Sequence, residues 1–158
     1  MGGSANPAVV PFIRDWVRAG CQAVGRSEDE VRVVLGAVTV VDEDGAAARG
    51  RARTEVASYL AVVAELDPAI QLPAGLADRV RALVASGQDE AAGSLIPDAI
   101  LDRFAFSGTP EQVAALAGRV LEAGADRVDF GTPHGLDDGK GVTLLGTAVL
   151  PLLRQRGG

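Results

Sequence analysis

The residues best suited to chemistry lie in one short turn near the carboxyl end of the sequence. Thr132 and His134 stand in the string Thr-Pro-His-Gly at 132–135, and His134 is the only histidine. A hydroxyl and an imidazole in a loop after a strand can contact a substrate or cofactor. Proline also favours tight turns, so a purely structural turn remains an alternative. Because no carboxylate or nucleophile is spaced to pair with His134, we predict contact rather than proton transfer.

Two further positions are candidates for binding. Gly3 and Ser4 precede Pro7, a good helix start, and backbone N–H groups at a helix amino end bind anions well. The alternative is a plain strand-to-helix turn, since glycine adopts positive φ readily. Thr39 is a polar residue in a valine-rich segment and could point into a site, although a β-branched residue also simply suits a strand.

Other reactive side chains are better explained by structure. Cys21, the only cysteine, falls within a helical apolar pattern and has no basic neighbour, which predicts a small core residue. The acidic run 42–44 lacks histidine and the calcium-loop pattern, so we interpret it as helix-end charge. We therefore predict no metal site.

Composition narrows the class of protein. The 158 residues suit one domain, and 47% hydrophobic with 23% charged residues is typical of a globular fold. The net charge of −6 argues against nucleic-acid binding. A single cysteine, with no apolar run long enough for a membrane span and no leader pattern, predicts a cytoplasmic protein that does not bind a membrane.

Apolar periodicity predicts alternating helices and strands. The valine-rich run Val31–Val41 is apolar nearly throughout, as in a parallel strand covered on both faces, and Arg127–Phe130 is a second, shorter strand. Residues 66–107, cut by proline and glycine, are interpreted as a helical insertion before the last strand. Helices are predicted over 8–24, 44–65, 76–86, 97–104, 110–124 and 144–152.

This order is that of a parallel α/β architecture in one domain, 1–158. Two strands alone leave apolar sheet surface open to water, so the sheet must be completed by further strands.

Several motifs, in order, resemble one known family. They are Phe106 to Gln112 (FSGTPEQ), Glu122 to Asp126 (EAGAD), Gly131 to Gly135 (GTPHG) and Leu144 to Gly146 (LLG), with weaker similarity around 20–27 and 41–44. The set resembles the carboxyl-terminal part of the luciferase-like oxidoreductases, and among them the methylenetetrahydromethanopterin reductases.

The resemblance implies the carboxyl-terminal part of a (β/α)8 barrel that transfers hydride between the deazaflavin coenzyme F420, or FMN, and a small organic substrate. It places Gly2–Asn6 after the sixth strand, Val31–Val41 as the seventh and Arg127–Phe130 as the eighth. A full barrel needs roughly 250 residues, so most of the cofactor contacts would lie on strands outside this sequence.

Two hypotheses follow from the resemblance and the shortage of strands. In the first, the chain contributes Gly3, Ser4, Thr39, Thr132 and His134 as cofactor or substrate contacts of such an oxidoreductase. In the second, it is a non-catalytic truncated module or assembly subunit that binds no cofactor. Under both hypotheses, we expect this chain to form a homo-oligomer or to pair with a chain that supplies the missing strands.

Overall fold

The computed structural model describes residues 1–156 as alternating helices and strands. The strands are β1 (Val34–Val41), β2 (Ala105–Gly108) and β3 (Arg127–His134). The helices are α1 (Val10–Ala23), α2 (Gly45–Ala57), α3 (Leu60–Leu66), α4 (Leu76–Ala85), α5 (Asp89–Ser94), α6 (Asp98–Phe104), α7 (Pro110–Glu122), α8 (Asp138–Leu144) and α9 (Leu150–Arg156). The predicted α/β class is confirmed.

The sheet is parallel throughout, with the order β2-β1-β3. β1 pairs with β3 from Val34 opposite Arg127 to Val40 opposite His134. The two strands predicted from the sequence are therefore neighbours, as expected. The amino-terminal segment lies along the other edge of β1, where Gly2 forms a parallel bridge with Gly36. The amino-terminal segment thus pairs with β1 on the edge opposite β3.

β2 was not predicted, because three of its four residues fell inside the stretch interpreted as a helical insertion. The helices at 76–86 and 97–104 are confirmed as α4 and α6, and α5 is an additional short helix. The chain leaves α6 at Phe104 and continues directly into β2, which pairs with the carboxyl half of β1. All four β2 residues are buried. A four-residue strand is too short to show a periodicity of its own, so nothing separated it from the helix before it.

Two predicted helices are interrupted. The predicted helix 44–65 breaks at Ser58–Tyr59 into α2 and α3. The last helix begins earlier than predicted and contains a π-helical turn at Leu145–Val149, directly before α9. Pro151 has no N–H to donate to the preceding turn, and a local change in helix winding accommodates such a residue.

Helices cover the outer face of the sheet. Leu35, Ala37 and Val41 of β1 join a buried cluster with Phe106 and side chains of α1, α7 and the last helix. A capping box at Thr109 and Gln112 fixes the start of α7: the N–H of Gln112 donates to the Thr109 hydroxyl, and the N–H of Thr109 donates to the Gln112 side chain. The outer face of the sheet and the helices packed on it therefore form one hydrophobic core.

Helices α2 to α6 cover the carboxyl half of the opposite, inner face. Val40 and Ala105 form a second buried cluster with side chains of α2 to α6, including Phe104 and Val56. Tyr59, at the α2–α3 break, connects this cluster to the sheet because its hydroxyl donates to the carbonyl oxygen of Phe104 at 2.8 Å. The inner face of β1 nearer its amino end is not covered in this way, and Val34, Gly36 and Val38 remain half-buried.

Replacing Phe106 tests the placement of β2. Phe106 is fully buried, with its ring edge-on to Phe130. Phe106→Ala should lower the free energy of unfolding by roughly 3–5 kcal/mol, measured by chemical denaturation. Phe12→Ala is the matched control because Phe12 is 43% exposed, and it should cost less than about 1 kcal/mol. Equal effects of the two substitutions would contradict burial of β2.

Tyr59 gives the fold a predictable response to alkali. Burial raises the pKa of its phenol above the ordinary value of 10.0. The unfolded chain therefore ionises first as pH rises, and stability should fall progressively above pH 10 until the folded phenol also ionises. Tyr59 is the only tyrosine, so phenolate absorbance reports this one group.

Tyr59→Phe should remove this part of the alkaline loss of stability. An absorbance titration of the folded protein with a midpoint at or below the ordinary tyrosine value would show that Tyr59 is not buried.

Candidate functional site

The carboxyl ends of the three parallel strands meet at one edge of the sheet. β1 ends at Val41, β2 at Gly108 and β3 at His134. In parallel α/β folds, ligands bind at this edge, where the loops after the strands converge. The residues after these strands and on the neighbouring inner face are therefore the candidates for a functional site.

An open groove of 460 Å³ lies on the inner face of the sheet. Much of its surface is backbone, because Gly2, Gly3, Gly36 and Gly131 line it. Tyr59 and Val63 form the wall opposite the sheet. A mainly apolar slot with glycine along one side suits a flat group that lies close to the backbone.

The groove brings together two of the five predicted site residues, Gly3 and Thr132. Gly3 has φ 78°, and a Cβ at this position would lie 2.7 Å from Cγ2 of Val63. Both the conformation and the close approach therefore require glycine. Thr132 is exposed on β3, next to Gly131. Its hydroxyl is available to a ligand in the groove.

Ser4 is close to the groove in sequence but fully buried. Its hydroxyl accepts a hydrogen bond from the N–H of Asn6 at 3.2 Å and donates to Asp67 at 3.5 Å. The Asn6 side chain donates to the same Asp67 oxygen at 3.0 Å, and the N–H of Ala69 donates to the other oxygen at 2.8 Å. This buried network fixes the segment that presents Gly3. Asp67 was missed because Asp before Pro at a helix end resembles an ordinary turn.

Thr39 is fully buried within β1, and its hydroxyl donates to the carbonyl oxygen of Ala37 at 3.2 Å. By strand alternation it shares the outer face with Leu35 and Val41, which the helices cover. Its placement fits the alternative of a β-branched strand residue.

His134 closes β3 at an irregularity in the sheet. The pairing passes from Val38–Gly131 to Val40–His134, so β3 has one residue more than β1 over this interval. Such a bulge redirects the side chains around it. His134 has φ 78°, and its Nε2 lies 3.2 Å from the carbonyl oxygen of Phe130. The imidazole is thus held at the carboxyl edge, half-buried.

An ion-paired cluster at the same edge joins the loop after β1 to α8. Asp42 is only 6% exposed, and Lys140 Nζ contacts it at 3.2 Å and Glu43 at 3.1 Å. The backbone N–H of Asp44 and then Lys140 lower the pKa of Asp42. Asp44 caps α2 by accepting from the N–H of Ala47, the helix-end role predicted for the acidic run, whereas Asp42 and Glu43 pair with Lys140 instead.

No group of three or more His, Cys, Asp or Glu side chains within residues 1–156 is arranged to hold a metal ion. In the same part of the chain, no helix has the length and apolar character needed to cross a membrane. The features that could receive a cofactor are the groove and the exposed groups at its carboxyl-terminal end.

Comparison with known proteins agrees with this architecture. The family model of the luciferase-like monooxygenases matches residues 2–127. The 5,10-methylenetetrahydromethanopterin reductase of Archaeoglobus fulgidus is 29% identical over 159 residues, covering 96% of this chain and 47% of the relative. The enzyme of the same name from Methanolobus tindarius is 30% identical over 142 residues, covering 85% of this chain and 42% of the relative.

The fold is also found in a solved structure. The coenzyme F420 dependent tetrahydromethanopterin reductase of Methanopyrus kandleri superposes with a TM-score of 0.76 at 25% identity, covering 95% of this chain and 44% of that protein. The chain thus spans less than half the length of the relatives it matches and forms part of a (β/α)8 barrel. The resemblance inferred from the motifs is confirmed, and the chain belongs to the luciferase-like monooxygenase family.

Proposed function

We propose that this chain is the carboxyl-terminal part of an oxidoreductase that transfers hydride between coenzyme F420 and a small organic substrate. Two of the relatives it matches are reductases acting on methylenetetrahydromethanopterin, and the matching solved structure is described as coenzyme F420 dependent. FMN is the alternative cofactor. The activity requires the remaining barrel strands, because this chain spans less than half of those relatives.

One observation carries the proposal: Gly3 and Thr132, selected from the sequence for contact, lie in the same apolar groove. They come from opposite ends of the chain. They lie close together because Gly2 pairs with one edge of β1 and β3 pairs with the other. The groove has the glycine backbone and apolar wall that a flat ring requires. These residues therefore fit one side of a deazaflavin or flavin site.

Each residue has a distinct role in this proposal. When bound, the cofactor supplies the hydride chemistry. Gly3 allows Val63 and Tyr59 of the apolar wall to pack closely against the backbone, while the Thr132 hydroxyl and the His134 imidazole orient polar atoms of the cofactor or substrate. Ser4 supports the Gly3 segment through Asp67, and Thr39 supports β1 from the opposite face. Tyr59 and Val63 exclude water from the apolar wall.

The open edge of β3 also fits a second candidate function, a non-catalytic module that pairs with another chain. Within residues 1–156, β3 pairs only with β1, and its residues are half-buried or exposed. An edge of this kind accepts a further strand. In both functions the protein is cytoplasmic and requires the strands that complete the barrel. The two functions differ in whether the completed barrel binds cofactor.

Titration with F420 distinguishes the two functions. The chain is mixed with the separately produced amino-terminal part of the Archaeoglobus fulgidus reductase, the portion that precedes the matched region, and F420 binding is followed by its fluorescence. The assembled barrel should bind F420. Thr132→Val should raise the dissociation constant by about 3–10-fold, because it removes one hydrogen bond and preserves side-chain shape.

Thr147→Val is the matched control. The Thr147 hydroxyl donates to the Thr143 carbonyl within the last helix, outside the groove, so its loss should leave F420 affinity unchanged. An assembled barrel that binds neither F420 nor FMN would reject the oxidoreductase function in favour of the non-catalytic module. Equal affinity of Thr132→Val and the unchanged chain would remove Thr132 from the site.

A further inference from the structure

The only lysine of the chain lies at the same edge of the sheet as its only histidine. Lys140 is in the first turn of α8, and His134 is the last residue of β3. Lys140 does not line the groove. Its ammonium group instead contacts the loop after β1, at Asp42 and Glu43. The role of Lys140 must therefore be sought in what this contact holds in place.

Asp42 gives the ammonium group of Lys140 a fixed anchor. The Asp42 carboxylate is nearly buried and accepts a hydrogen bond from the N–H of Asp44 at 3.1 Å. The backbone N–H of Asp42 donates to the Gly108 carbonyl oxygen at the end of β2, at 3.2 Å. Glu43, the second carboxylate near Lys140, is exposed. The position of the ammonium group is therefore set mainly by Asp42, which is held at both its backbone and its side chain.

The backbone of α8 lies directly against the backbone of the His134 turn. A Cβ at Gly141 would lie 2.5 Å from the carbonyl carbon and oxygen of His134. A Cβ at Gly135 would lie 2.8 Å from the Cα of Gly141. Both positions therefore require glycine, and no side chain separates the helix from the turn. A displacement of α8 would consequently displace His134.

The conformation of His134 needs such support. Its φ of 78° lies in the left-handed region, which residues other than glycine rarely adopt unless the surrounding structure fixes them. Within residues 1–156, the imidazole has one hydrogen-bond contact, between Nε2 and the carbonyl oxygen of Phe130 in the same strand. A contact within β3 cannot fix the end of β3 relative to β1. The packing of α8 supplies this restraint.

Resting on the proposed function for the ligand that His134 contacts, we propose that Lys140 is a positioning residue. Its pairing with Asp42 ties α8 to the end of β1, and α8 in turn holds the His134 imidazole at the carboxyl edge. A purely stabilising ion pair is the alternative. Partly exposed ion pairs contribute little to the free energy of unfolding. Loss of the Lys140–Asp42 pair should therefore move His134 and leave the fold intact.

The imidazole Hε1 signal of the only histidine tests this in the chain alone. Nuclear magnetic resonance spectra are recorded on the alkaline plateau of the signal, where the ring is neutral. Lys140→Met and Asp42→Asn should both move the signal toward that of histidine in an unfolded peptide. The two substitutions remove opposite charges, so a change in electric field alone would move the signal in opposite directions. Lys140→Arg keeps the charge and the donors, and should retain the original signal.

A second readout is independent of charge. The nuclear Overhauser contact between the Gly141 Hα and the Gly135 amide reports the packing of α8 on the turn, and it should weaken in Lys140→Met. It also decides the question if Asp42→Asn fails to fold. An unchanged contact together with an unmoved Hε1 signal in Lys140→Met, or Hε1 shifts of opposite sign in the two variants, would overturn the proposal.

Arg18→Met serves as the control. Arg18 also pairs with two carboxylates, Asp15 at 2.7 Å and Glu28 at 3.2 Å. Its side chain is 48% exposed, close to the 44% of Lys140, and it lies on α1. Arg18→Met should leave the His134 signal unchanged. Lys140→Met and Arg18→Met should both retain the circular dichroism of the unchanged chain.

F420 binding by the assembled barrel shows whether the position of His134 matters to the ligand. Lys140→Met should raise the dissociation constant by about 3–10-fold, as expected for one misplaced hydrogen bond, and Lys140→Arg should restore the affinity. A moved His134 signal with unchanged affinity would overturn the positioning role. An assembled barrel of the unchanged chain that does not bind F420 would reject the proposed function, while the spectra would still decide whether Lys140 positions His134.

Discussion

Parallel hydrogen bonding of β1 to a partner on each edge is the interaction on which the other features depend. β3 runs along one edge, and the Met1–Ser4 segment and β2 share the other. The backbone N–H and C=O groups of β1 form hydrogen bonds along both edges of the strand. Its two faces can therefore be covered only by the packing of side chains. Its alternation then directs Leu35 and Val41 to the helices and leaves Gly36 and Val38 on the inner face.

The outer face of β1 is covered along its whole length and the inner face only in part, and this difference defines the candidate site. The outer face is sealed by α1, α7 and the last helix. On the inner face, helices α2 to α6 cover the carboxyl half, whereas the groove stays open beside Gly36 and Gly131. In a closed barrel, side chains from the remaining strands fill the interior in layers. The open groove is therefore consistent with a missing neighbour, the remaining strands of the barrel.

The sequence predicted the features that have strong local patterns. The valine run of β1 and the stripe of α7 were long enough to identify, and the ordered motifs identified the family. β2 was missed because four residues cannot show a period, and β3 was predicted too short because Gly131–Pro133 resemble a turn. The burial of Thr39 and Ser4 could not be predicted from the sequence, because strand phase and the contact of Ser4 with Asp67 depend on tertiary packing.

The register between β1 and β3 is the most direct test of the whole account. Backbone nuclear Overhauser contacts in isotope-labelled protein should connect Gly36 with Asp129 and Val38 with Gly131, in the pattern of parallel strands. Observation of these contacts would show that β1 and β3 are adjacent parallel strands, as in one barrel. Contacts of antiparallel type, or β1 paired with other segments along the β3 edge, would contradict the barrel architecture and the site built on it.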